Sequence, residues 1–242
     1  MNQNPVIVCL DASTPQCSAA LLFNGQMLAR KSQQERGHSG LLLSWIEEML
    51  AEAGLARSAL DAIAFSQGPG SFTGVRIASG VTQGLAFGLD RPTIAISSLQ
   101  LLAEQAAEAT PQADGLIVSL LDARMGELYG GVFARNGNNQ GQGHTQLVGG
   151  EWLRTPENVP LPDTSWQGVG AGFSAYPALQ PVSAPNTAAL LVALPDARFG
   201  LALAAARYRM GQIEPAHGAQ PVYLRNDIAK KARGLSSGDA TA

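Results

Sequence analysis

The residues best placed to do chemistry lie in Gly68-Pro69-Gly70-Ser71-Phe72-Thr73-Gly74-Val75-Arg76. A glycine-rich turn that runs into a helix presents free backbone N–H groups and the positive end of the helix dipole, which suits an anion. The segment lacks the Gly-Lys-Ser/Thr ending of a phosphate loop. Its glycines at 68, 70 and 74 are spaced one step too wide for a dinucleotide fingerprint. Ser71 is no nucleophile elbow either, because Pro69 and Thr73 stand at the two flanking glycine positions. The stretch predicts part of a nucleotide-binding scaffold rather than an independent catalytic centre.

Other candidate chemistry is sparse. The three histidines, His38, His144 and His217, are far apart in sequence and none is paired at helical spacing, so no metal site is expected. The two cysteines, Cys9 and Cys17, fall in apolar runs and read as buried, reduced thiols on neighbouring strands. Asp11 and Asp122 each end a buried-strand pattern, Val6 to Leu10 and Leu116 to Leu121.

The elements that carry these residues repeat. After each aspartate comes a second strand pattern, Cys17 to Phe23 and Glu127 to Ala134. Each is followed by Asn-Gly, at 24–25 and 136–137, a strong hairpin signal. Sharing both the aspartate and the Asn-Gly points to a duplicated α/β domain. In the first half, a helix is expected over Ser39 to Ala53, with Leu42, Trp45, Ile46, Met49 and Ala53 in one stripe and Leu41, Leu43 and Leu50 widening it. Strand Ala62 to Ser66, the glycine loop, a helix over Thr73 to Leu89 and strand Thr93 to Ile96 follow. Ser97 to Gln100 reads as a capping box opening a helix to about Ala109. The second half is looser. A loop is expected at 136–143, prolines at 156, 160 and 162 mark another, and Trp166 to Val169 is a strand candidate. Helices are expected near Thr187 to Leu194 and over Asp196 to Met210. The expected division is 1–110, 111–225 and a mobile tail from 226, whose Lys230, Lys231 and Arg233 read as solvated ahead of the alternative of touching an RNA or an acidic partner.

The helix after the loop holds Gly80, Gly84 and Gly88 on one face. Each interior glycine costs about 1 kcal/mol relative to alanine. Close approach of another backbone would explain the cost. Packing inside the same domain and packing against a second chain are both open on this reading.

Taken together, the chain resembles the bacterial TsaB (YeaZ) proteins over nearly its whole length. The resemblance rests on Leu10-Asp11-Ala12-Ser13-Thr14, Arg36-Gly37-His38-Ser39, the Gly68–Ile77 stretch, Ser97-Ser98-Leu99, Asp122-Ala123-Arg124-Met125-Gly126-Glu127-Leu128-Tyr129 and Tyr223-Leu224-Arg225. It implies the actin and sugar-kinase ATPase-like fold. It also implies a role in forming threonylcarbamoyl adenosine in tRNA beside the anticodon, with a paralogous catalytic subunit, TsaD, and an ATPase, TsaE. In TsaD-type chains a His-x-x-x-His pair holds a metal. Here Ser98 and Leu102 stand in those positions, which implies a non-catalytic partner without catalytic residues, metal or cofactor. Docking is expected through the helices at 39–53 and 73–89, at Leu42, Trp45, Ile46, Met49, Arg76, Gly80, Gly84 and Gly88, and a homodimer through the same surface. Arg76 could contact a partner carboxylate or a phosphate, although a surface salt bridge is the commoner fate of such an arginine. Asp11, Ser13 and Asp122 resemble a nucleotide-binding remnant, and Gly170 and Gly172 belong to a turn like one that cradles adenosine. Asp11 is followed by no glycine, so weak or absent nucleotide binding is expected.

The resemblance implies that tRNA is met through the complex, and composition bounds a globular chain. The 242 residues are 45% hydrophobic and 14% charged, with net charge −3, which supplies no general pull toward nucleic acid. No membrane span or signal pattern is read, so a cytoplasmic location is expected. A sugar-kinase-type phosphotransferase, dependent on Asp11 or Asp122, is the alternative reading, and a peptidase related to the M22 group a weaker one.

Overall fold

The structure is a computed structural model that describes residues 2–33, 38–135, 144–179 and 193–225. The Asn136-Gly137 turn, the loop at 136–143, nearly all of the helix expected near Thr187–Leu194, and the tail lie outside the described residues.

Two mixed sheets repeat one plan. The first is ordered β3-β2-β1-β4-β5, with β1 Ile7–Asp11, β2 Gln16–Phe23, β3 Gln26–Gln33, β4 Ala62–Ser66 and β5 Thr93–Ile96. The second is ordered β8-β7-β6-β9, with β6 Leu116–Arg124, β7 Glu127–Arg135, β8 Thr145–Arg154 and β9 Trp166–Val169. In each, an antiparallel meander is flanked by a strand parallel to its first member, Ile7 opposite Ala62 in one and Leu116 opposite Trp166 in the other. The duplication read from the paired Asp-ended strands is therefore present, in the arrangement of the actin and sugar-kinase ATPase-like fold. Asn24 (φ 49°) and Gly25 (φ 73°) form the two-residue left-handed turn that Asn-Gly favours between β2 and β3. Strand β8 was not foreseen, because its Leu147-Val148-Gly149-Gly150-Glu151 has no clean alternation.

Strand β1 is buried on both faces, which is why it reads as an unbroken apolar run. One face packs under helices α1 (His38–Glu52) and α2 (Phe72–Leu89), the other under α5 (Leu201–Arg209) and part of α3 (Ser98–Ala109). A four-residue turn of helix, α4, spans Gly172–Ala175. Cys9 and Cys17 are free and buried, and they face these opposite cores rather than one another. Desolvation pushes the Cys17 thiol up to about 12, and Cys9 higher still, so both stay protonated and inert.

The division at 110/111 does not follow the packing. Helix α5 returns to the first sheet, where Leu201, Ala204 and Ala205 join Ile7, Cys9 and Ile94. In exchange α3 gives Leu99, Leu102, Ala103 and Ala106 to the second sheet with Ile117 and Phe133. The expected helix over Asp196–Met210 begins as a short 3₁₀ turn capped by Asp196, which accepts from the Arg198 N–H. The capping box at Ser97 is only half made. Ser97 Oγ accepts from the Leu99 and Gln100 N–H groups, but the Gln100 side chain donates to the Thr145 carbonyl and accepts from Arg207. That glutamine ties α3 to both β8 and α5.

Candidate functional site

Asp11 and Ser13, expected from the resemblance to belong to a nucleotide-binding remnant, meet where β1 ends. Asp11 is fully buried, and one of its oxygens accepts from the Ser13 N–H (3.3 Å) and hydroxyl (2.7 Å). Its other oxygen has no hydrogen-bond partner. Desolvation drives the carboxyl up to about 6, against the pull of its serine hydrogen bonds, and the nearby Asp196 charge adds to the rise. The glycine loop lies directly on this turn. Ser71 donates its N–H to the Ser13 carbonyl at 2.7 Å. A Cβ on Gly70 would stand 2.2 Å from Ser13 O, and one on Gly74 1.8 Å from Ala12 O. The loop glycines thus permit contact with the chain's own backbone, and the Ser71 amide that would face an anion is spent inside the fold.

The second half shows the same economy. Gly170 and Gly172 are pressed against Leu120 of β6, with a Cβ at Gly170 only 2.2 Å from its carbonyl. Asp122 accepts from the Arg124 N–H and pairs with the Arg124 guanidinium at 3.3 Å. Asp11 and Ser13 are brought together, and Asp122 sits in the hairpin of the other sheet. In α3, Ser98 Oγ shares a hydrogen bond with Ser66 Oγ (2.7 Å) and Leu102 is buried among the apolar residues of the second sheet. Among the described residues no three His, Cys, Asp or Glu side chains group closely enough to hold a metal.

The second candidate surface is the outer side of α1 and α2. Here part of the expectation is corrected. Leu42, Ile46 and Met49 lie at 0–2% exposure in the core between α1 and the first sheet, and Trp45 leans on the same core. A helical stripe at i, i+4 and i+7 is the inward face of an amphipathic helix, so Leu42, Ile46 and Met49 hold α1 on its own sheet rather than lining the exposed surface. The outward face of α1 offers Leu43, with Ser44, Glu47 and Glu48 around it.

On α2 the exposed face is the glycine face. A Cβ on Gly80, Gly84 or Gly88 would meet nothing within 4 Å, which rules out packing inside the described part of the same chain as the reason for them. Phe87 beside them is 82% exposed. The N-terminal end carries Phe72, also exposed, and Arg76. Arg76 forms no salt bridge among the described residues. Its guanidinium instead lies 3.6 Å from the Phe72 ring centre, and its Nε donates to the Tyr223 hydroxyl at 2.7 Å. Phe72, Phe87 and Tyr223 were not assigned a site role from sequence. Tyr223 is brought to α2 from the far end of the chain, a contact no local pattern encodes.

Known proteins carry the same architecture. A family model described as tRNA N6-adenosine threonylcarbamoyltransferase, TsaD, matches residues 30–158. The tRNA threonylcarbamoyladenosine biosynthesis protein TsaB of Haemophilus influenzae is 37% identical, over 95% of this chain and 97% of its own length. The Escherichia coli protein of the same name is 32% identical, over 93% and 96%. The chain belongs to the TsaB family. Among solved structures, YeaZ from Pseudomonas aeruginosa is 39% identical, covers 91% of this chain and 100% of its own, and superposes with a TM-score of 0.79. A further Pseudomonas aeruginosa structure, titled an uncharacterized protein with similarity to peptidase YEAZ, gives 40% and 0.80. The TsaB assignment and the TsaD match overlap on the stretch that holds α1, the glycine loop and α2. Among the described residues no helix is long and apolar enough to cross a membrane.

Proposed function

We propose that this TsaB-family chain is a non-catalytic scaffold and activator of threonylcarbamoyl adenosine formation in tRNA. It docks on a TsaD-type catalytic subunit, and the assembled pair works with a TsaE-type ATPase in the cytoplasm. Transfer RNA is met through the complex. The observation that carries this reading is the outer face of α2, where three glycines with open space before them lie beside a largely exposed phenylalanine. Three helix glycines forfeit about 3 kcal/mol, and within the described chain nothing offsets it. A second helix that approaches closely enough to need bare backbone does. The same face, with Leu43 of α1, serves a homodimer when the partner is missing.

A non-catalytic role is supported by how the would-be chemical groups are used. Ser98 is engaged with Ser66, and Leu102 is core. One Asp11 oxygen is occupied by the Ser13 N–H and hydroxyl, and the glycine loop is closed on that turn. Their buried contacts favour a structural remnant over a phosphotransfer centre, whose groups must face a cleft. The test is reconstitution with TsaD and TsaE counterparts, the activated threonylcarbamoyl donor and unmodified tRNA. Product should form only when this chain is present. Equal product in its absence, with active partners, overturns the proposal.

A further inference from the structure

Resting on the docking reading above, we infer that Phe72, Arg76 and Tyr223 form a preset receptor for a single carboxylate side chain on the TsaD-type partner. Arg76 is the one charged residue in the eighteen of α2. Its guanidinium lies 3.6 Å from the Phe72 ring centre and 5.5 Å from that of Tyr223, and the two rings are 5.7 Å apart. Nε is taken by the Tyr223 hydroxyl. The terminal amino groups make no hydrogen bond or ion pair among the described residues. An arginine held over an aromatic ring and tied to a tyrosine hydroxyl has lost much of its rotamer freedom before any partner arrives. Its planar fork is then presented ready for two parallel hydrogen bonds to a carboxylate.

Tyr223 is itself held from two sides. The preceding residue donates its N–H to the Gln67 carbonyl at the glycine loop (2.8 Å), and Val222 O lies 3.1 Å from where a Cβ on Gly68 would stand. Two residues on, Arg225 donates to the Ala123 carbonyl (3.1 Å) and to Glu127 Oε2 (2.5 Å) in the β6–β7 hairpin. This short strap runs from the first sheet's loop to the second sheet's turn, and it makes Tyr223 a positioning residue for Arg76.

The chemistry favours a protein carboxylate over an RNA phosphate. Nucleic-acid grooves string several cations along a backbone, whereas here one arginine stands on a helix otherwise without charge, beside apolar and glycine surface. Exposed Arg, Phe and Tyr together are the composition of a protein–protein hot spot.

The experiment is titration calorimetry of the full chain with its TsaD-type subunit, with and without tRNA, at two salt concentrations. Arg76→Gln should weaken binding about 10- to 100-fold and flatten the salt dependence, with melting unchanged. Arg76→Lys keeps the charge but not the fork, and should recover about half of that loss on a logarithmic scale. Tyr223→Phe should weaken binding a few-fold. Wild-type affinity for Arg76→Gln overturns the inference and leaves the docking reading standing. So does a loss seen only with tRNA, which would make the ligand a phosphate, or a loss confined to self-association. No binding by the wild-type chain itself overturns both.

Discussion

The Ser13 carbonyl accepts the Ser71 amide at 2.7 Å, and the close approach of Gly70 leaves no room for a side chain against that same carbonyl. The glycine loop is thus joined to the first hairpin by backbone alone. Gly70→Ala and Gly74→Ala force a Cβ to 2.2 and 1.8 Å from main-chain oxygens that cannot swing away. Each should cost about 3 kcal/mol or more, at the upper end of overpacking effects. Urea unfolding measures this, and a loss under about 1 kcal/mol would contradict the contact.

The buried Asp11 sets a pH dependence. An unfolded aspartate ionises near pH 4, while the folded one keeps its proton to about 6. Between those values the folded state binds the extra proton, so this group's contribution to stability falls as pH rises and is level above 6. Asp11→Asn retains an oxygen for Ser13 and removes the buried charge. It should gain about 1–3 kcal/mol at pH 7.5 and almost nothing near pH 4. Paired melting curves of the two chains test this, and a gain that grows toward low pH would contradict it.

The two sides of α1 should separate cleanly. Leu42→Ala and Ile46→Ala open cavities beneath the helix and should each cost about 2–5 kcal/mol. Leu43→Ala, on the outer side, should change stability by less than about 0.5 kcal/mol. It should nevertheless weaken partner binding about tenfold in calorimetry, as loss of an exposed apolar anchor would. Equal destabilisation by all three would return Leu43 to the core.

These comparisons also show what sequence could and could not reveal. Periodicity located α1 and α2 to within a residue or so, and Asp-ended strands followed by hairpin signals exposed the duplication, because both are local consequences of burial. Periodicity also marks the face that seeks burial, and for α1 that face belongs to the chain's own sheet. Leu42, Ile46 and Met49 therefore looked like docking residues only while the sheet beneath them was unseen. The glycines at 80, 84 and 88 violate helix propensity, and the pattern is plain in sequence, but which surface they serve depends on what lies opposite them in the fold. Long-range closure was invisible: Tyr223 on Arg76, and α5 on the first sheet, depend on pairings with no local pattern.

Helix glycines that face open space should be replaceable in the isolated chain. Gly80→Ala and Gly84→Ala should each stabilise it by about 0.5–1 kcal/mol, through helix propensity alone. Denaturant midpoints decide this. Destabilisation by either would mean that the face is packed against part of its own chain.

The most direct test of the account is Gly84→Leu, assayed both for binding to the TsaD-type subunit and for threonylcarbamoyl adenosine formation in the reconstituted system. A leucine there meets no atom within the described chain, but it would stand where a partner backbone must come close. The account predicts a melting temperature equal to or above that of the unmodified chain, with affinity down at least about 100-fold and product formation lost with it. Unchanged affinity and full product yield from a well-folded Gly84→Leu chain would contradict it.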